Sequence, residues 1–482
     1  MNLKTTYGIP KRTGANINIF VFFQDDPSTI RRTLKKYGFA PGVADNYGFA
    51  GMKDEVLELI SPDKKKDQCG ILLGLGRKEK YTPDNARRAG GYFAGLAAKR
   101  LIKAAAVAAI PKPESSLGAF VEGVILGGYS FDKYKSKKRN ILSLRLIIEE
   151  KYRKFRKEIN KSVVLAESAC FARDLVNTPA NFLTPSSYAA QARTLARKYG
   201  IRTRIYSARE IQAMKMGALW GVAKGSEQPP RLITYSYNGG KRGEAPIVLV
   251  GKGVTFDTGG ISLKPNASMV DMKNDMAGSA TVISQMIVLG RLKPKINVVG
   301  IVPAVENMPS GRALKPSDII TASDGQTIEV LNTDAEGRLI LADALCFAHK
   351  FKPKAIVDIA TLTGAVMYAL GHAAAGIIGT DDKLLKKLYE VGQKTAEKTW
   401  QLPLWDEYYE QIKSNMADMK NTGGRPAGTI TASAFLSKFV GDIPWAHIDI
   451  AAMDNQEGSH PYQPKGATGF GTRLLAEFLL SQ

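Results

Sequence analysis

Acidic residues able to hold metal lie in two short segments bracketed by glycine. One runs from Gly251 and Lys252 through Asp257, Gly259 and Gly260 to Lys264, with Asp271 and Asp275 just beyond. The other is Asn332-Thr333-Asp334-Ala335-Glu336-Gly337-Arg338. If Asp257, Asp275, Asp334 and Glu336 converge, they cannot all stay ionised without cations, because like charges at close range raise carboxyl pKa values. A pair of divalent ions would neutralise them, and a carboxylate-rich site suits Mg2+, Mn2+, Co2+ or Zn2+. Histidine is not expected among the ligands: the chain has 4, none of them in either segment. A single aspartate before a helix is ordinarily an N-cap, and a single Asp-x-Glu a solvated loop. The metal reading rests on their conjunction in two glycine-rich turns, where backbone can approach a ligand closely.

Such a cluster needs elements that bring residue 257 to residue 336. Residues 246–250, 297–302, 355–359 and 446–450 read as short apolar strands, and residues 276–292 and 338–349 as helices. That alternation argues for a mostly parallel sheet with helices on its faces. Lys252 then follows one strand, and Asp334 and Glu336 follow the strand-like residues 327–331. In open α/β sheets ligands bind at these carboxyl ends. Nearer the N-terminus, residues 17–23 and 71–75 read as strands. Residues 86–110 read as an Ala-rich helix weakened by Gly90, Gly91 and Gly95, and residues 144–176 as one long helical stretch. A chain of 482 residues exceeds one hydrophobic core, so two α/β domains are expected. Residues 1–160 would form the smaller, residues 161–180 a linking helix ending at the breaker 177–181, and residues 181–482 the larger.

The net charge is +22, with 32 basic against 17 acidic residues in 1–170 and 35 against 28 beyond. The basic first third, densest at Lys133, Lys135, Lys137, Lys138 and Arg139, could attract nucleic acid, although a solvated surface explains the same charge. Cys69, Cys170 and Cys346 form no CxxC pair, which fits a reducing compartment. No apolar run is long enough to span a membrane. The first residues lack the core of a secretory signal and match a mitochondrial presequence poorly. The expectation is a cytoplasmic protein, with the mitochondrial matrix as the alternative. No P-loop, dinucleotide fingerprint or G-x-S-x-G elbow occurs. Cys346 with His349, and His372, His447 and His460, read as structural.

Residues 332–339 (NTDAEGRL) are similar to the signature octapeptide of the leucine aminopeptidase, or cytosol aminopeptidase, family. Residues 251–265, Asp271 with Asp275, and residues 172–179, 358–364, 445–449 and 466–471 extend the resemblance over about 170–480. The resemblance implies a macro-like N-terminal domain, a homohexamer, peptide substrates, and two Zn2+ or Mn2+ ions. It implies Lys252, Asp257, Asp275 and Glu336 as ligands of a tighter ion. Asp257, Asp334 and Glu336 would hold a more exchangeable one. Lys264 and Arg338 correspond to the family's catalytic residues, and Arg338 would hold a bicarbonate acting as general base. Met272, Thr361, Leu362, Gly364 and Ala451, with Lys264, would bind substrate and favour Leu and Met at its N-terminus.

The expected reaction is removal of the N-terminal residue by a hydroxide bridging the two ions, since paired metals lower the pKa of a shared water. Lys264 would stabilise the developing oxyanion. A guanidinium keeps its proton, so Arg338 suits an anion clamp and not a base. Lys252 can donate a lone pair only as a neutral amine, which adjacent dications favour.

Overall fold

The computed structural model describes residues 1–8, 17–60, 69–137 and 143–482. They form two compact units, Met1–Glu167 with Glu457–Lys465, and Ser168–Gln456 with Gly466–Gln482.

The first unit holds a six-stranded sheet of β1 (Asn2–Gly8), β2 (Ile17–Phe22), β3 (Val56–Ile60), β4 (Cys69–Gly74), β5 (Ala104–Ala109) and β6 (Ser143–Glu149), ordered β1-β6-β5-β2-β4-β3. Only β3 runs antiparallel to its neighbour. Two of these strands differ from the sequence expectation. The Ala-rich helix is Pro83–Arg100; it ends at Leu101, in the left-handed region at φ 55°. Ala104–Ala109 then pairs with both β2 and β6. Alanine's helix preference amounts to a fraction of a kcal/mol per residue. Burial between two strands outweighs it. Ser143–Glu149 is likewise a strand, and the long helix begins only at Arg156. Its strand signal was an alternation, exposed Ser143 and Arg145 against buried Leu144 and Leu146. Glu457–Lys465 joins this unit where Gly91 and Gly127 leave room, a Cβ on either lying 2.5 or 2.8 Å from Pro461 O. Tyr462 Oη donates to Asp84 Oδ1 at 2.6 Å. No pattern in the sequence marks this return.

The second unit is built on a nine-stranded, mostly parallel sheet. Its strands are β7 (Arg202–Tyr206), β8 (Arg231–Asn238), β9 (Ile247–Gly251), β10 (Gly253–Asp257), β11 (Asn297–Asn307), and further along the chain Ala355–Ala360, Ala375–Gly379, Thr399–Gln401 and Trp445–Asp449. Ala355–Ala360 lies at the centre, parallel to β9 on one side and to Trp445–Asp449 on the other. A small separate sheet contains Ile319–Thr321, Thr327–Glu329 and Met419–Lys420. Val248, Val250, Ile301, Leu339, Ile340, Ile356 and Trp445 belong to one buried apolar cluster.

Helix Ala277–Leu292 lies directly on the strand ends. A Cβ at Gly278 would come within 2.1 Å of Ile359 O, and one at Gly251 within 2.6 Å of Ser279 Cα. These glycines let the residues before the helix, Asp275 among them, reach the sheet's carboxyl edge. Gly278→Ala should therefore overpack this contact and cost about 1–3 kcal/mol of stability in urea unfolding. Gly95→Ala is the control: its added methyl meets nothing within 4 Å, in a helix, so it should be neutral or slightly stabilising.

Candidate active site

The functional side chains hang from the carboxyl edge of the second unit's sheet. Lys252 follows β9, Asp257 ends β10, Thr361 follows Ala355–Ala360, and Glu336 opens helix Glu336–Ala348. Lys252 Nζ lies 2.7 Å from Asp275 Oδ1 and 2.9 Å from Glu336 Oε1, and donates to Thr361 O at 2.8 Å. Gly337 makes this approach possible, because a Cβ there would sit 2.5 Å from Lys252 Cε. Lys264 Nζ is 2.9 Å from Asp257 Oδ2 and 2.5 Å from Asp334 Oδ1. The loop that returns Lys264 over Asp257 closes through Lys264 N donating to Thr258 O at 2.9 Å. It turns at Gly259 and Gly260, both at positive φ, 86° and 67°. Asp257, Asp334 and Glu336 each direct one carboxylate oxygen to within 4.8 Å of the others.

Four carboxylates here face two ammonium groups, largely out of water. Lys252, Asp257, Asp275 and Glu336 are 3, 2, 6 and 1 % exposed. Burial pulls the Lys252 ammonium toward neutrality, but Asp275, Glu336 and Asp257 more than reverse this and raise its pKa. Lys264 is raised in the same way, with Asp257, Glu336 and Asp334 overcoming burial. Burial pushes the carboxyls of Asp275, Glu336 and Asp334 above their ordinary range, reinforced by the charge of Asp257 and opposed by the lysines. Asp275 Oδ2 and Glu336 Oε2 are buried without a hydrogen-bond donor among the described residues. Buried carboxylate oxygens in native proteins are normally satisfied. Divalent cations fit this donor set: they would satisfy both oxygens and offset the surplus negative charge.

Two residues that shape the site, Asn307 and Asn421, gave no signal in the sequence. Asn307, in register with Asp257 across β10 and β11, donates from Nδ2 to Asp257 Oδ1 at 2.8 Å and to Thr333 O at 3.0 Å. Asn421 braces the second acidic segment: its Oδ1 accepts from Leu331 N at 2.9 Å and its Nδ2 donates to Asn332 O at 2.7 Å. Its carbonyl accepts from Arg338 at 2.9 Å. Burial lowers the Arg338 guanidinium to about 10, against the pull of Glu336 and Asp449, and its Nε is buried without an acceptor among the described residues. Asp358 is also buried, accepting from Trp445 Nε1 at 2.6 Å and facing His447 Nδ1 at 2.5 Å.

The pocket residues named by resemblance fall at three places. Met272 and Lys264, with Leu263, Asn332 and Asp334, line a cleft of about 500 Å³. Thr361 touches the cluster itself, donating from Oγ1 to Asp275 Oδ1 at 2.8 Å. Leu362 and Ala451 are joined through Asp449, and Gly364 is exposed beside them. Burial, with Asp324 and Asp343, pushes the Cys346 thiol up, and His349 meets Phe439 O at 3.1 Å. Lys133, Lys135 and Lys137 are exposed, while Lys138 and Arg139 lie outside the described residues.

Two family models match the chain: the cytosol aminopeptidase family catalytic domain over residues 170–476, and that family's N-terminal domain over residues 43–138. The chain belongs to the cytosol aminopeptidase family. It is similar to a probable cytosol aminopeptidase of Geotalea uraniireducens, 46% identical over 446 residues and 89% of each chain. A probable cytosol aminopeptidase of Geobacter sp. strain M21 is also 46% identical, over 91% of this chain and 90% of its own. Among solved structures, a mutant of tomato leucine aminopeptidase matches at TM-score 0.88 and 31% identity, over 100% of this chain and 97% of its own. The bottromycin maturation enzyme BotP in complex with Mn matches at TM-score 0.85 and 32% identity, over 97% and 99%. As a member of this family, the chain is a metallo-aminopeptidase, a hydrolase of peptides. Its two-domain α/β architecture matches the family's. No helix among the described residues is long and apolar enough to cross a membrane.

Asn307→Ala removes a donor that orients Asp257, so metal affinity should fall about 10–100-fold. Calorimetric titration of Mn2+ into chelator-stripped protein measures this. The same titration should show proton release and tighter binding as pH rises, because the metal displaces protons from carboxyls of raised pKa.

Proposed function

We propose that this aminopeptidase removes N-terminal residues, Leu and Met above all, at a centre of two Zn2+ or Mn2+ ions. The observation that carries the reading is the convergence of Asp257, Asp275, Asp334 and Glu336 on Lys252 and Lys264, with Asp275 Oδ2 and Glu336 Oε2 left without a donor among the described residues. Lys252, Asp257, Asp275 and Glu336 would hold one ion, and Asp257, Asp334 and Glu336 the other. Bound there, the ions supply a water of lowered pKa and a Lewis acid for the scissile carbonyl.

The chain's own groups do the rest. Lys264, with its ammonium favoured by three acids, is the donor placed to stabilise negative charge on the carbonyl oxygen. Lys252 stays protonated while the acids alone surround it, and cationic charge in the cluster would remove that preference. Arg338, buried with an unused Nε, suits a planar anion, and bicarbonate held there would accept a proton from the nucleophile. Met272, beside Lys264 in the cleft, offers the adaptable apolar surface that unbranched and γ-branched side chains prefer. The free amine of a peptide is the feature an exopeptidase must read, and it would be read as a ligand of an ion held in the cluster. The homohexamer implied by the resemblance is part of the same proposal. We place the protein in the cytoplasm, in keeping with relatives named for the cytosol.

Release of leucine from a leucyl-anilide should require Mn2+ or Zn2+ and should be abolished by chelation and by Glu336→Ala. Lys264→Ala should retain metal but lose roughly 10²–10³ in turnover. Activity surviving both chelation and Glu336→Ala would rule out the proposed centre.

A further inference from the structure

The loop after strand Ala355–Ala360 leaves the metal cluster through Thr361, whose carbonyl and hydroxyl contact Lys252 and Asp275. The next residues therefore border the site, and something must fix them. A buried carboxylate on the neighbouring strand does so. Asp449, at the end of the neighbouring strand and in register with Ala360, is wholly buried. Its Oδ1 accepts from Leu362 N at 3.1 Å, Thr363 N at 3.4 Å and Ala451 N at 3.3 Å. Its Oδ2 accepts from Thr363 Oγ1 at 2.6 Å, and that hydroxyl also meets Thr429 Oγ1 at 2.7 Å. One carboxylate thus ties the turn after one strand to the turn after the next.

We infer that Asp449 is a positioning residue for substrate selectivity, holding Leu362 and Ala451 at a fixed separation so that the two turns form opposite walls for the side chain of the substrate's first residue. The inference rests on the aminopeptidase reading above, and adds a device that sets which side chain fits. Two loops at a sheet's carboxyl edge spread or slide unless something joins them, and a hydrophobic slot discriminates between side chains only while its width is held. A carboxylate is suited to the task because it accepts from several backbone N–H groups at once and donates to none. Burial raises the Asp449 carboxyl, while His447, Thr363 and the backbone donors oppose that shift.

The test compares kcat and KM for leucyl-, methionyl-, alanyl- and glycyl-anilides, in Mn2+-loaded wild type, Asp449→Ala, Asp449→Asn and Thr363→Val. Asparagine keeps one acceptor oxygen for the three backbone donors and can donate to Thr363 Oγ1, so it should restore most of what alanine loses. In Asp449→Ala the ratio of kcat/KM for leucyl over alanyl substrate should fall on the order of tenfold, through KM for the leucyl substrate. Thr363→Val should lie between that variant and wild type. A residue that merely supported folding would lower all four substrates together, so an unchanged ratio in both Asp449→Ala and Thr363→Val overturns the inference. If Asp449→Ala does not fold, Asp449→Asn and Thr363→Val decide on the same ratio. A wild type that cleaves no anilide with metal present would instead refute the aminopeptidase reading itself, and this inference with it.

Discussion

Four carboxylates gathered in a water-poor site against two ammonium groups set the terms for the rest of the catalytic unit. Two like charges about 4 Å apart cost roughly 4 kcal/mol at an effective dielectric near 20. The cluster has several such pairs, and its acids respond by holding protons more tightly than usual. Lys252 and Lys264 relieve part of the repulsion, each bridging two acids from different segments. The remaining imbalance is what divalent cations would remove, so the arrangement that strains the protein without metal is the same one that would bind it.

Holding such a cluster together requires rigid elements and close approaches. The acids come from the end of β10, the turn before helix Ala277–Leu292, and the turn into helix Glu336–Ala348, all at one edge of the sheet. Glycines appear where backbone must pass close to a side chain: Gly337 against Lys252, Gly259 against Asp334. Around the acids, neutral amides fix the angles. Asn307 ties Asp257 to the second acidic segment, and Asn421 joins the start of that segment at Asn332 to its end at Arg338. Farther out, Asp449 joins the turns after two neighbouring strands much as Asn307 joins the two acidic segments, one polar group satisfied by several partners.

The acids and lysines were legible in the sequence because their chemistry is carried by residue type and because glycine-rich spacing marked both segments. The apolar runs of β2, β4, β9 and β11 were legible for a similar reason, as continuous burial leaves a continuous signature. The strands Ala104–Ala109 and Ser143–Glu149 were not recognised, since alanine and charged residues read locally as helix and only pairing with distant neighbours decides otherwise. Asn307 and Asn421 were invisible for a different reason, and Asp449 stood out only as the last residue of a segment that carried the resemblance. Their roles depend on register: Asp257 opposite Asn307, Ala360 opposite Asp449. Nothing in the local sequence distinguishes an asparagine that orients a ligand from one that meets solvent. The return of Glu457–Lys465 to the first unit belongs to the same class, a tertiary fact without a local mark.

The most direct measurement of the paired-cation site is anomalous X-ray diffraction from crystals of the protein grown with Mn2+. Two adjacent anomalous peaks are expected, both within coordination distance of Asp257 and Glu336, with Lys264 drawn off its ion pair with Asp334. A map with no peak among these acids, or with a single ion and both lysines still in their present ion pairs, would contradict a dinuclear centre built on this cluster.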